Sequence, residues 1–209
     1  DAARHDAATT YYGTQSGAGV ALLLARQRGN IRVGIIGLGA GTLARYGQKG
    51  DHYSFYEINP LVIDLAGAQF DFVRQSAAQA EIVPGDARLS LEREASQQFD
   101  VLLVDAFSGD AIPVHLLTRE AFGLYFRHLK PQGVLAVHVS NRFLDLPPVV
   151  EAAARTFGAR AVKVVSPEDQ ANAVYRATWM LVDRPNVPSG TAGAAETAPP
   201  GEERVVRAW

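Results

Sequence analysis

The sequence predicts a doubly wound α/β fold around a mostly parallel sheet, on three observations. Five short runs rich in Val, Ile and Leu recur at 31–36 (IRVGII), 53–57, 81–83, 99–105 (FDVLLVD) and 133–139 (GVLAVHV), apolar as strands covered on both faces must be. Segments of helical period lie between them, and strand, helix, strand alternation implies parallel pairing, because the helix supplies the crossover that parallel neighbours need. Two further runs, 161–165 and 177–182, are separated only by a polar loop, which predicts an antiparallel pair at the sheet edge.

Each element has readable ends. The first strand runs into Gly37-Leu38-Gly39-Ala40-Gly41, ahead of a short helix. Asn59 followed by Pro60 is an N-cap with Pro at the first helical position, opening a helix to about residue 68. Thr118 caps the next, with Phe122, Tyr125, Phe126 and Leu129 at i, i+3, i+4 and i+7 and Pro131 as its stop. Asp145 opens another, with Pro147 and Pro148 in its first turn, an apolar stripe of Leu146, Val149, Val150, Ala153 and Phe157, and Gly158 closing it. From 185 onward the composition shifts to Pro, Gly, Ala, Thr and Ser without apolar period, so the chain divides into a folded unit, 1–184, and a flexible tail, 185–209. Val205, Val206 and Trp209 read as the start of a truncated element, and Asp1 in place of an initiator Met marks a piece of a longer protein.

Composition excludes several function classes. With 47% hydrophobic and 20% charged residues the chain is ordinary for a globular domain rather than a disordered one. A net charge of -2 gives no general drive toward nucleic acid, which is not expected as a partner. The absence of cysteine removes a disulfide scaffold, a thiol nucleophile and a Cys-ligated metal. The five histidines show no ligand spacing, and no metal is expected. The longest apolar stretches, 18–25 and 33–40, fall far short of the roughly 18 to 20 residues that span a bilayer.

The residues that carry chemistry sit at strand ends. Gly37, Gly39 and Gly41 follow a buried strand, where a glycine turn lets backbone approach a ligand or simply turns tightly; the G-x-G-x-G spacing, with Thr42 next, disfavours the dinucleotide fingerprint. Glu57 ends the second strand 20 residues after Gly37, placed to accept both hydroxyls of a ribose or to stand as a solvated terminus. Asp86, before Ala87, can accept from an adenine amino group and can cap the following helix. Asp105 ends the fourth strand where the strand order reverses and open α/β sheets bind ligands; Asp110 follows five residues on in the same loop. Two carboxylates there suit a cationic, amine-bearing substrate and removal of a proton from its nitrogen, against the alternative of a loop with a helix-capping Asp. His138 and Ser140 end the fifth strand, as pocket walls or as simple hydrogen-bonded groups. Trp179, Phe122, Tyr125 and Phe126 read as core, and Tyr11, Tyr12, Gln15 and Ser16 either fold over the ligand or form a surface turn.

The runs VGIIGLGAGTLARYG, FYEINP, GDARLSLE, FDVLLVDAFSGDAIPVHLLTREAF and LKPQGVLAVHVSN resemble the nucleoside-binding domain of the spermidine synthase (polyamine aminopropyltransferase) family, in particular its bacterial branch fused behind a membrane-embedded region. The resemblance covers about 11–182, most specifically 99–122. It implies a Rossmann-like class I AdoMet-methyltransferase fold, seven strands with the last antiparallel. It implies that Gly37, Gly39 and Gly41 cradle the methionine-derived part of decarboxylated AdoMet or AdoMet. Glu57, with Ile58 beside it, would hold the ribose, and Asp86 with Ala87 would meet the adenine. Asp105 would bind and deprotonate the attacking amine, with Asp110 as the second, more widely spaced acid. The implied acceptor is a small polyamine such as putrescine, the implied location cytoplasmic, and the implied associations a membrane region of the full-length protein and a homodimer. One departure stands out: the Tyr-His-Glu stretch of the family's soluble enzymes reads YYGTQSGAG here, which leaves the acceptor open. The rival readings are an AdoMet-dependent methyltransferase, which a basic residue reaching the methionine carboxylate would favour, with Arg45 the nearest in sequence, and a non-catalytic nucleoside-binding regulatory domain of a membrane protein.

Overall fold

Strands buried on both faces need a helical layer on each side, and the chain supplies both. The computed structural model describes residues 8–107 and 112–183. Its strands are β1 (Arg32–Ile36), β2 (His52–Glu57), β3 (Gln79–Pro84), β4 (Phe99–Val104), β5 (Leu129–His138), β6 (Arg160–Ser166) and β7 (Ala177–Asp183). They form one seven-stranded sheet in the order β3-β2-β1-β4-β5-β7-β6. The first five run parallel, and β7 lies antiparallel between β5 and β6. This is the predicted α/β class, with the antiparallel pair in place and β6 outermost.

Alternation along the strands divides the core in two. Ile36, Leu102 and Val104 face a layer made by α3 (Ala87–Arg93), α4 (Arg119–His128) and α5 (Pro147–Thr156). Val33, Ile35, Val101 and Leu103 face α1 (Gly17–Arg26), a short 3-10 helix (Thr42–Tyr46) and α2 (Pro60–Gln69). Phe122, Tyr125, Phe126 and Trp179 are core, as read. Among the described residues no helix is long and apolar enough to cross a membrane.

Asn59 and Thr118 cap α2 and α4 through their side chains, as read. Three expectations change. Helix α1 was not foreseen. Helix α4 ends at His128, because Leu129 is already extended and starts β5; Pro131 falls where the β4–β5 register shifts between Phe99 and Val101, an irregularity that tolerates a residue without an N–H. Asp145 does not cap α5, whose N-cap is Leu146 without a side-chain bond. Its buried line is Leu146, Val150 and Ala154, one residue per turn, and Val149 is exposed.

Candidate functional site

The site is built where β1 and β4 part. The Asp105 N–H donates to the Ile36 carbonyl at 2.9 Å and the Gly37 N–H to the Tyr56 carbonyl at 2.9 Å, so the chains leaving β1 and β4 start side by side. Gly37 has φ +101°, and a Cβ there would sit 2.5 Å from the Asp105 carbonyl oxygen, so only glycine fits. Gly37 and Gly39 line a cavity of about 410 Å³ at this sheet edge. Gly41 lies off that wall, at the start of the 3-10 helix beside Val73.

The other strand ends complete the wall. Glu57 is buried, with Oε2 accepting the Leu38 N–H at 3.0 Å and Oε1 the Asn59 N–H at 2.8 Å, so one side chain ties the glycine turn to the start of α2 and keeps a fixed carboxylate on the cavity. Ile58 lines the same cavity with its side chain exposed. Asp86 caps α3, accepting from the Leu89 N–H at 2.9 Å, and its other oxygen lies 3.3 Å from His115 Nε2. With Ala87 it forms the far end of the cavity, so the capping geometry leaves Asp86 on the wall as well. Among the described lining residues are the carboxylates of Glu57, Asp86 and Asp105 and no Lys or Arg. Arg45 is elsewhere, over the Phe72 ring at 5.5 Å.

Asp105 is held at both oxygens. Tyr12 donates its hydroxyl to Oδ2 at 2.6 Å, and His138 Nδ1 lies 2.7 Å from Oδ1. Burial first, then the Asp105 charge and the hydrogen bond to it, push the Tyr12 hydroxyl well above the ordinary phenol range, so it stays a donor. Tyr11 is raised for the first two of these reasons and with Tyr12 forms the cavity roof. Ser16 instead caps α1, accepting from the Gly19 N–H at 3.1 Å, and Gln15 is exposed. Asp110 lies outside the described residues. A buried carboxylate with two fixed donors and a face on a cavity can hold a cation and take a proton from it.

His138, like Tyr12, is a functional candidate whose contact with Asp105 the sequence did not disclose. It is buried and stacks on Trp179 with ring centroids 4.5 Å apart and 6° between planes. Its register was readable at the end of a strand, but not its pairing with a residue 33 positions away. Among the described residues no group of three or more His, Asp or Glu is placed to hold a metal ion.

No family model matches the chain. Over 119 residues it is 37% identical to the polyamine aminopropyltransferase of Vibrio vulnificus (strain CMCP6), a match covering 54% of this chain and 38% of that protein. The chain resembles the polyamine aminopropyltransferases. A probable polyamine aminopropyl transferase of Bifidobacterium longum (strain NCC 2705) is 32% identical over 111 residues, 51% of this chain and 23% of that one. The matches therefore span well under half of these aminopropyltransferases' own length. The fold matches a probable spermidine synthase from Corynebacterium glutamicum ATCC 13032 at TM-score 0.61 and 21% identity, over 83% of this chain and 65% of that one. It matches human Methyltransferase-like protein 13, in complex with SAH, at TM-score 0.62 and 18% identity, over 84% and 82%. The class I methyltransferase fold expected from the resemblance to aminopropyltransferases is thereby established.

Proposed function

We propose that this chain carries the nucleoside-binding and catalytic unit of a spermidine synthase-like aminopropyltransferase, which moves the aminopropyl group of decarboxylated AdoMet to a small amine such as putrescine. The observation that carries the reading is the charge of the cavity: three carboxylates and no Lys or Arg on its described wall. Decarboxylated AdoMet brings a sulfonium and an ammonium to that wall, whereas AdoMet adds a carboxylate that would meet like charge without a basic partner. The curated relatives supply the reaction type by name.

In this reading Gly37 and Gly39 let the backbone approach the sulfonium end, Glu57 takes the ribose hydroxyls on lone pairs left by its two backbone donors, and Asp86 with Ala87 meets the adenine. Asp105 holds the incoming amine and takes its surplus proton as the nitrogen attacks the carbon beside sulfur. The C–N bond forms, the C–S pair returns to sulfur, and neutral methylthioadenosine leaves. Orientation and electrostatic holding of the cation supply the rate, since the leaving sulfonium needs no acid.

The test is parallel calorimetric titration with decarboxylated AdoMet, AdoMet and methylthioadenosine, followed by addition of putrescine. Tighter binding of the decarboxylated form and release of methylthioadenosine on adding the amine are expected. Asp105→Asn should keep methylthioadenosine affinity within about twofold while abolishing release, because it removes the base and leaves the nucleoside contacts. Preference for AdoMet would make the chain a methyltransferase, and binding without turnover on any amine would make it a sensing domain.

A further inference from the structure

We propose that His138, fixed by Ser140, is a positioning residue for Asp105, donating its Nδ1 proton to Oδ1 and keeping the carboxylate turned toward the cavity. The reactive role of Asp105 is taken from the aminopropyl transfer proposed above. Four observations lead to His138.

First, the parallel pairing of Val104 with Val137 brings the end of β5 level with the residue that follows β4, so His138 and Asp105 meet at 2.7 Å. Second, an ionised carboxylate only accepts, so Nδ1 must carry the proton. Third, the remaining nitrogen, Nε2, lies 2.9 Å from Ser140 Oγ, and that oxygen already accepts the Thr178 N–H at 2.8 Å. With Nδ1 protonated, the neutral ring has only a lone pair at Nε2, so the Ser140 hydroxyl donates its one proton there, in keeping with the Nδ1–H tautomer. Fourth, the ring cannot turn: Trp179 stacks on it and Phe107 meets it edge-on at 5.0 Å, 77° between planes. With Tyr12 on Oδ2 and His138 on Oδ1, rotation of the carboxylate breaks one bond or the other.

The Ser140, His138, Asp105 order has the connectivity of a nucleophile triad, and one detail sets it apart. Ser140 is not on the wall of the cavity that Asp105 lines and spends a lone pair on Thr178 N, so the bonds run toward Asp105 and the hydroxyl is their anchor.

The experiment uses the full chain and compares wild type, His138→Ala, His138→Asn and Ser140→Ala. For His138→Ala, kcat should fall about 10-fold or more, the loss expected for a hydrogen bond to a charged group, while the amine KM and methylthioadenosine affinity stay within about twofold. His138→Asn restores an N–H donor near the Nδ1 position and should recover kcat to within about threefold of wild type. Imidazole nitrogen NMR should place the His138 proton on Nδ1 in wild type, with the hydrogen-bond shift of the unprotonated Nε2 lost in Ser140→Ala. Equal kcat for wild type and His138→Ala, equal damage by Ala and Asn, or joint loss of nucleoside binding and turnover would overturn the positioning role, the last by making His138 a packing residue for Trp179. Failure of wild type to transfer to any amine would sink the reaction reading, and the NMR spectrum would then decide the His138 pairing alone: a proton on Nε2 would overturn it.

Discussion

A base must be oriented as well as basic, and for Asp105, the base proposed above, orientation comes from residues far away in sequence. Tyr12 reaches it across 93 positions and His138 across 33, each taking one carboxylate oxygen. Tyr12 is itself fixed, since its carbonyl accepts the Tyr46 hydroxyl at 2.6 Å and the adjoining Thr10 is bonded to Ala173 and Tyr175. Tyr12→Phe keeps the ring in the roof and removes one donor worth about 1.5 kcal/mol to a charged acceptor. We expect kcat for methylthioadenosine release to fall about tenfold and the thermal midpoint to fall by about 3 to 6 °C; an unaltered kcat would show that Oδ2 needs no protein donor. Asp105, Glu57 and Gly37 were legible in the sequence because each chemical type stands at a strand end at a telling interval from the glycine turn. The Tyr12 and His138 contacts were not, because a hydrogen bond between two strand ends depends on register and strand order, which spacing does not encode.

At the scale of elements, α1 decides how the sheet is covered on the side away from α4. Its buried face is Ala18, Ala21, Leu22 and Ala25, a period of three and four that the small residues and Gly17 and Gly19 concealed, so the stretch read only as apolar. The glycines are there for contact: a Cβ on Gly17 would lie 2.2 Å from Trp179 Cβ, the residue on which His138 stacks. The other end of α1 is clamped by Asp51, which is fully buried, pairs with Arg26, and accepts from the Ile31 N–H at 3.0 Å and the Gln48 N–H at 2.8 Å. Burial alone would raise the Asp51 carboxyl, but Arg26 and the two backbone donors outweigh it and hold it below the ordinary range. A lowered carboxyl contributes stability that is present above its unfolded value, near pH 4, and lost as pH falls through the folded value. Asp51→Asn should therefore cost about 3 kcal/mol at neutral pH by leaving Arg26 partly buried without its charge partner, and should flatten the fall in stability below about pH 4. Urea unfolding at pH 7 and at pH 3 reads both effects, and equal losses at the two values would remove Asp51 from the acid response.

At the scale of the whole molecule, the mostly parallel α/β class was legible because five apolar runs with helices between them admit few right-handed arrangements, whereas the full strand order came only with the structure. The local stop at Pro131 misled because an irregularity in β5 absorbs a proline that a helix would have excluded. A second group that ties stability to pH lies just before β5, where α4 meets α3. His128 is fully buried at the end of α4, with Nε2 2.9 Å from the Leu91 carbonyl of α3 and Nδ1 accepting the Gln97 N–H at 3.3 Å. Both ring nitrogens are satisfied only when the imidazole is neutral, since a proton on Nδ1 would face the Gln97 N–H. Burial lowers its pKa, the Leu91 carbonyl partly opposes that, and Arg127 adds to the lowering. The folded value thus lies below the unfolded one near 6.5, so the unfolded chain binds the extra proton first. Stability from His128 is complete above about pH 6.5 and is lost as pH falls toward the folded value, at up to about 1.4 kcal/mol per pH unit. His128→Gln keeps an amide donor for Leu91 and removes the titration, so its unfolding free energy should change less than that of wild type between pH 7 and pH 5. Parallel denaturant titrations across that range decide the matter, and identical slopes would show that the neutral ring at the α3–α4 junction does not govern how the fold responds to acid.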